Sequence, residues 1–139
     1  MVSVINMEDL RYLKLFKDIT GINTRFCFEY NNNLIFCVPR WLAYRAIGEN
    51  GKNAKKISEI VKKRVKIIAN PEGISDLKKF VESIVSPSTF KSIEIIGEEI
   101  VITAGNRTNK AMLIGRNKKR FSEMQRIMRD FFKKELVIA

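Results

Sequence analysis

Histidine is absent from these 139 residues, and cysteine occurs only as Cys27 and Cys37. Without histidine the chain lacks the commonest general base and every Ser/His or Cys/His pairing, so the expectation is a protein that is not an enzyme. Two thiols cannot complete a four-coordinate zinc site, and no metal or other cofactor is implied. Long apolar runs are missing as well. A stretch such as Leu34 to Val38 falls far short of the about 20 residues that a bilayer span requires. Met1 to Asp9 show no basic segment followed by an apolar one, so they do not read as a secretory signal. A cytoplasmic location without a membrane partner is the default. Acid is in deficit too: 15 Asp+Glu stand against 26 Lys+Arg, a formal net charge of +11. That excess favours a polyanionic macromolecule over a small-molecule substrate.

A hydrophobic content of 45% is enough to build a real core in one domain or two small ones. In the first half, Asn6 is placed to cap a helix with Glu8 and Asp9 in its first turn and Leu10, Leu13, Phe16 and Ile19 at helical spacing; Gly21 ends it. Two strand-like runs follow, Thr24 to Tyr30 and Leu34 to Val38, joined by Asn31, Asn32 and Asn33. A three-asparagine loop sets Phe28 against Phe36, Phe26 against Val38 and Tyr30 against Leu34, gathering large apolar groups on one face. Pro39 suits the start of a short helix carrying Trp41, Leu42, Ala46 and Ile47. A helix over 52–63 then buries Ala54, Ile57 and Val61, and Arg64 to Ala69 form a strand.

The second half repeats this order. Ser75 is placed to cap a helix with the stripe Leu77, Phe80, Val81, Ile84 and Val85, which stops before Pro87. Strands over 90–96 and 99–103 flank Gly97 and Glu98, a pair suited to a type II′ turn, so Ile93 and Ile95 share a face with Ile100 and Ile102. Thr108 is the expected cap of a short helix over 109–114. A long helix with Phe121, Met124, Ile127, Met128, Phe131 and Phe132 inward precedes a strand over 136–138. The phrase Ile47-Gly48-Glu49-Asn50-Gly51-Lys52 recurs as Ile114-Gly115-Arg116-Asn117-Lys118-Lys119, an offset of 115 − 48 = 67. At that offset Phe26 and Phe28 map onto Ile93 and Ile95. The chain therefore reads as an internal duplication, 1–70 and 71–139, each half ordered α-β-β-α-α-β. Only Asn70-Pro71-Glu72-Gly73 separates the copies, a linker expected to hold them as a nearly rigid pair that acts jointly.

Each repeated phrase joins two helices, where helix-start amides attract anions. Glycine lets a phosphate approach the main chain with no Cβ in the way. The order of elements, with Gly48-Glu49-Asn50-Gly51 between its helices, resembles a type II KH domain, and so does the second copy. A tandem pair in a small basic protein is similar to the archaeal NusA-like transcription factors, which are reduced to two KH domains. The resemblance implies an α+β fold of two tandem type II KH domains, each a three-stranded sheet covered by helices on one face. It also implies binding of single-stranded RNA, with about four nucleotides clamped per module, and a part in transcription termination, antitermination or elongation on nascent RNA. RNA polymerase or its elongation complex would then be a partner. Two alternatives stay open: a ribosome-associated or rRNA-processing factor, and an adaptor docking on RNA polymerase with vestigial RNA-binding loops.

The RNA-binding residues expected on this basis are Ile47, Gly48, Glu49, Asn50, Gly51, Lys52, Lys55 and Lys56 in the first copy. In the second they are Lys110, Ile114, Gly115, Arg116, Asn117, Lys118, Lys119 and Arg120. Glu49 sets a negative charge where phosphate is expected, while Lys118 replaces the final glycine of the better-charged copy. Beside the loops, Ala43, Ala46, Met112 and Ile114 suit either unstacked bases or ordinary helix packing, with packing favoured. Lys62, Lys63, Arg64 and Lys66 extend the first basic run, and Arg107 stands near the second. Gly51-Lys52-Asn53 is not a nucleotide-binding P-loop, since Ala46 and Asn53 stand where that motif needs Gly and Ser or Thr. Trp41 is read as core in preference to a base stacker. With the three-asparagine loop, Cys27 and Cys37 become directly opposite. They either bridge the strands, as hyperthermophile cytosols allow, or remain two reduced thiols.

Overall fold

The computed structural model describes residues 7–139; Asn6, the expected cap of the first helix, lies outside them. The chain divides between Asn70 and Pro71 into two units. The first contains α1 (Met7–Thr20), β1 (Phe26–Tyr30), β2 (Asn33–Val38), α2 (Arg40–Ile47), α3 (Lys52–Val61) and β3 (Arg64–Ala69). The second contains α4 (Leu77–Val85), β4 (Ser92–Ile96), β5 (Glu99–Thr103), α5 (Arg107–Ile114), α6 (Lys119–Phe132) and β6 (Glu135–Ile138). The fold is α+β, with a three-stranded sheet in each unit. The strand orders are β1-β2-β3 and β4-β5-β6, in which the hairpin is antiparallel and the third strand joins the middle one in parallel.

The first hairpin departs from the sequence expectation by one residue. Only Asn31 and Asn32 form the turn, with φ of 52° and 61°, and Asn33 is already in β2 opposite Tyr30. Two consecutive left-handed residues match the right-handed strand twist, which is why a two-residue loop is preferred over three. A one-residue slip exchanges faces. Phe36 therefore faces Cys27 rather than Phe28, and Phe26 pairs with Cys37. The cysteines consequently sit on opposite faces of the sheet, and both are free thiols, so the proposed bridge is excluded. Burial pushes the pKa of each thiol up.

The second hairpin follows expectation. Gly97 has φ of +60°, Ile93 pairs with Ile102, and Ile95 with Ile100. Both turns thus contain two residues and lie 97 − 31 = 66 positions apart, not 67. Cys27 and Glu29, rather than Phe26 and Phe28, are the counterparts of Ile93 and Ile95. One extra residue enters between β5 and α5. A further four lengthen α6 to 14 residues against 10 in α3, about one helical turn. A full turn keeps the same face inward.

Within the first unit the core gathers Phe16, Ile22, Leu34, Phe36, Val38, Ala46, Ile57 and Ile67, with Leu13, Ile19, Cys27, Leu42, Ala54 and Val61 packed around it. Phe16 and Phe36 stack at 4.5 Å between ring centroids. The helices therefore cover one face of the sheet. Leu10, expected inward, is 54% exposed. In the second unit the α4 stripe Leu77, Phe80, Val81, Ile84 and Val85 is buried, and Phe80 meets Phe131 at 4.9 Å. Ser75 lies inside a single 3-10 turn over Ile74–Asp76 and does not cap α4, whose N-cap position is Asp76. Likewise Asn106, not Thr108, caps α5, its side chain accepting from the Asn109 amide at 2.8 Å. α6 is tied to β6 by Gln125, whose side-chain oxygen accepts from the Leu136 amide at 2.5 Å and whose amide donates to Glu135.

Candidate nucleic-acid interface

Each unit carries the same short loop between its two consecutive helices. α2 ends as the Gly48 amide donates to the Tyr44 carbonyl at 3.0 Å; α5 ends as Gly115 donates to Ala111 at 2.9 Å. Gly48 has φ 82° and ψ 162°, and Gly115 has φ 76° and ψ 172°. That combination is open essentially to glycine alone. A 3-10 turn follows in both copies, Glu49–Gly51 and Arg116–Lys118. Its last two residues are left-handed: Asn50 and Gly51 at φ 57° and 71°, Asn117 and Lys118 at φ 56° and 59°. The ψ values agree as well, 20° at Gly51 and 25° at Lys118. Lys118 therefore takes up the glycine conformation and leaves the backbone path unaltered.

The loops are braced from within. The Gly51 amide donates to the Gly48 carbonyl at 3.0 Å, and Lys118 donates to Gly115 at 3.2 Å. The Lys52 and Lys119 amides turn back onto Glu49 and Arg116 in the same way. Two of the helix-start donors are thus engaged inside each loop. A side chain from the following helix completes the brace, a role that neither residue's type announces. Asn53 donates from Nδ2 to the Ala46 carbonyl at 3.1 Å and to that of Arg45 at 3.5 Å. Arg120, 67 positions later, donates from Nη1 to the Met112 carbonyl at 2.8 Å. Arg45 and Met112 are equivalent by the same offset, so the longer branch of the Asn53 staple reaches the carbonyl that Arg120 holds, while its shorter branch ends one residue further on. The first glycine makes room for them: a Cβ on Gly48 would lie 3.0 Å from Asn53 Nδ2, and one on Gly115 2.8 Å from Arg120 Cγ. Finding this from sequence required aligning the two copies and asking what polar groups share the second helical position.

Charge is sorted by the fold. Lys52, Lys55 and Lys56 are exposed on the first two turns of α3, and the Lys55 side chain passes 4.0 Å from where a Cβ on Gly51 would stand. Glu49 and Asn50 are exposed at the loop tip; Ile47, Gly48 and Gly51 are half-buried. In the second copy Lys110, Arg116, Asn117, Lys118 and Lys119 are exposed, while Ile114, Gly115 and Arg120 are half-buried. The remainder of the first basic run goes elsewhere. Lys63 pairs with Glu29 and lies 5.8 Å from the centre of the Tyr12 ring, and Glu29 raises its pKa. Lys62 closes α3 in a left-handed conformation, as Lys133 closes α6. Lys66 is half-buried opposite Ile35, and burial lowers its pKa. Ala46 is fully buried and Ala43 and Ile47 pack on the core, so these belong to the framework; Met112 is 46% exposed. Trp41, expected in the core, is 79% exposed. Among the described residues no cluster of three His, Cys, Asp or Glu could hold a metal ion, and no helix is long and apolar enough to cross a membrane.

Two similar curated proteins carry one name. The chain is 27% identical over 100 residues to the probable transcription termination protein NusA of Methanococcus vannielii. It is 24% identical over 110 residues to the protein of the same name from Halococcus morrhuae. The likeness is to archaeal NusA. The first match spans 70% of this chain but just over half, 56%, of that relative; the second spans 78% and 77%. Among solved structures, the crystal structure of APE1850 is similar over 97% of this chain and 100% of its own, with a TM-score of 0.64 and 27% identity. No family model matches the chain.

Proposed function

We propose that the protein is a tandem type II KH protein that binds single-stranded RNA, and that it acts on nascent transcripts in termination, antitermination or elongation. The observation that carries this reading is the doubled loop. Two units of the same chain hold the same Gly-x-x-Gly/Lys backbone, with matching left-handed residues, matching staples and cations at the entrance to the next helix. A backbone braced from within, flanked by exposed cations, is suited to an extended polyanion whose bases remain accessible. The relatives named NusA support the transcriptional setting, with RNA polymerase as a further partner. On this reading the protein is a binding factor without catalytic residues.

The test is fluorescence anisotropy with labelled single-stranded RNA, duplex RNA and duplex DNA. Wild type is compared with Gly51→Asp and with the double variant Arg116→Ala plus Lys119→Ala. Aspartate tolerates the left-handed conformation, so the first variant changes charge while keeping the loop. Single-stranded RNA should bind best, and each variant should weaken it about tenfold, equivalent to ~1.4 kcal/mol. Equal binding of all three nucleic acids, with both variants unaffected, would reduce the interaction to unspecific charge.

A further inference from the structure

α2 turns two aromatic rings to solvent. Trp41 is 79% and Tyr44 81% exposed, although a large aromatic ring ordinarily contributes most of its area to a core. The inner face of the helix is already occupied: Leu42, Ala43, Ala46 and Ile47 pack on the sheet and on α3. The rings therefore do nothing for the core of their own unit. At a spacing of i and i+3 they are neighbours on the helix surface. Trp41, Arg45 and Gly48 stand at i, i+4 and i+7, a stripe that runs straight into the phosphate loop, with Tyr44 alongside.

Charge complementarity decides what fits there. Arg40 and Arg45 are exposed on the same helix, and Lys52, Lys55 and Lys56 follow the loop. No acidic residue occurs between Glu29 and Glu49. Exposed rings interleaved with cations and continuous with a loop built for phosphate match a single strand whose bases are unstacked. Rings take the bases and cations take the backbone. We propose that Trp41 and Tyr44 form a stacking platform for unpaired bases of the RNA strand whose backbone passes Gly48. This rests on the RNA-binding reading above. The second unit has no such platform, because the equivalent positions are Thr108 and Ala111. The copy whose loop carries Glu49 thus engages RNA through bases as well as phosphate.

Trp41 is the sole tryptophan, so emission excited beyond the tyrosine absorption band reports on this site alone. Titration uses a short single-stranded RNA, an abasic strand of equal length, and poly-glutamate. The base-bearing RNA should quench the emission and bind at least about a hundredfold more tightly than the abasic strand. Trp41→Ala and Tyr44→Ala should each lower RNA affinity by about ten- to a hundredfold while leaving the abasic strand unaffected, and Trp41→Phe should restore most of the loss. RNA that binds with unmoved emission and tolerates both alanine variants would overturn the platform and leave the RNA reading standing. Absence of any RNA binding would overturn both. Quenching by poly-glutamate with no response to RNA would assign the face to an acidic protein partner and overturn the platform.

Discussion

Gly48 and Gly51 share a loop but not a constraint. Gly48 sits at φ 82° and ψ 162°, and a Cβ there would come within 2.9 Å of Lys52 Cγ. Gly51 is simply left-handed, with its nearest obstacle the end of a flexible lysine at 4.0 Å. Gly48→Ala should therefore destabilise the chain by about 1–3 kcal/mol, and Gly51→Ala by only about 1 kcal/mol. The natural counterpart runs the other way. Lys118 holds the Gly51 conformation with a side chain, so Lys118→Gly should stabilise by up to about 1 kcal/mol. Urea midpoints of the three variants, ordered Gly48→Ala, Gly51→Ala, wild type, Lys118→Gly from least to most stable, check the assignment. At this scale the sequence located both loops and their glycines, which the structure places at the same backbone positions. It left unresolved what Lys118 does, because a lysine forced into a left-handed conformation looks the same on paper as one that abolishes the turn.

Secondary elements were largely legible from periodicity, and the register of the first hairpin was not. β2 is buried along its whole length, on both faces, so its alternation could not select a register. Three consecutive asparagines, all tolerant of left-handed backbone, could not select a turn length. The face assignments of Phe26, Phe28 and the cysteines all followed from that one ambiguity. By contrast, the Gly97-Glu98 turn offered a single glycine, and its register was readable. Trp41 misled for a different reason: amphipathic spacing reports that a helix has an inner face, and a ring at the edge of that face can go either way. The tie between α6 and β6 offers a test at the same scale. Hydrogen bonds from Arg129 hold the Glu135 carboxyl below the ordinary range. A depressed carboxylate stabilises the fold above its unfolded pKa, and that contribution is lost as pH falls through the folded value. The urea midpoint of Glu135→Gln should fall below that of wild type at neutral pH, and the gap should close in acid below the carboxylate range.

For the molecule as a whole, the net charge of +11 makes the salt dependence of the proposed RNA binding a test, whose slope distinguishes one engaged loop from two. Four phosphates neutralised on a single strand give a slope of about −3 in log K against log salt, and eight give about −6. Measured on wild type and on the Arg116→Ala plus Lys119→Ala variant, the slope should become shallower by about 1.4, two cations at about 0.7 each, if both loops hold RNA, and stay unchanged if only the first does. The bonds that define the first loop all run between Tyr44 and Asn53, within ten residues of chain. Such a device is written locally and needs no distant partner to specify it. It can pass through a duplication intact while insertions accumulate on either side, as the changing offsets between the copies record.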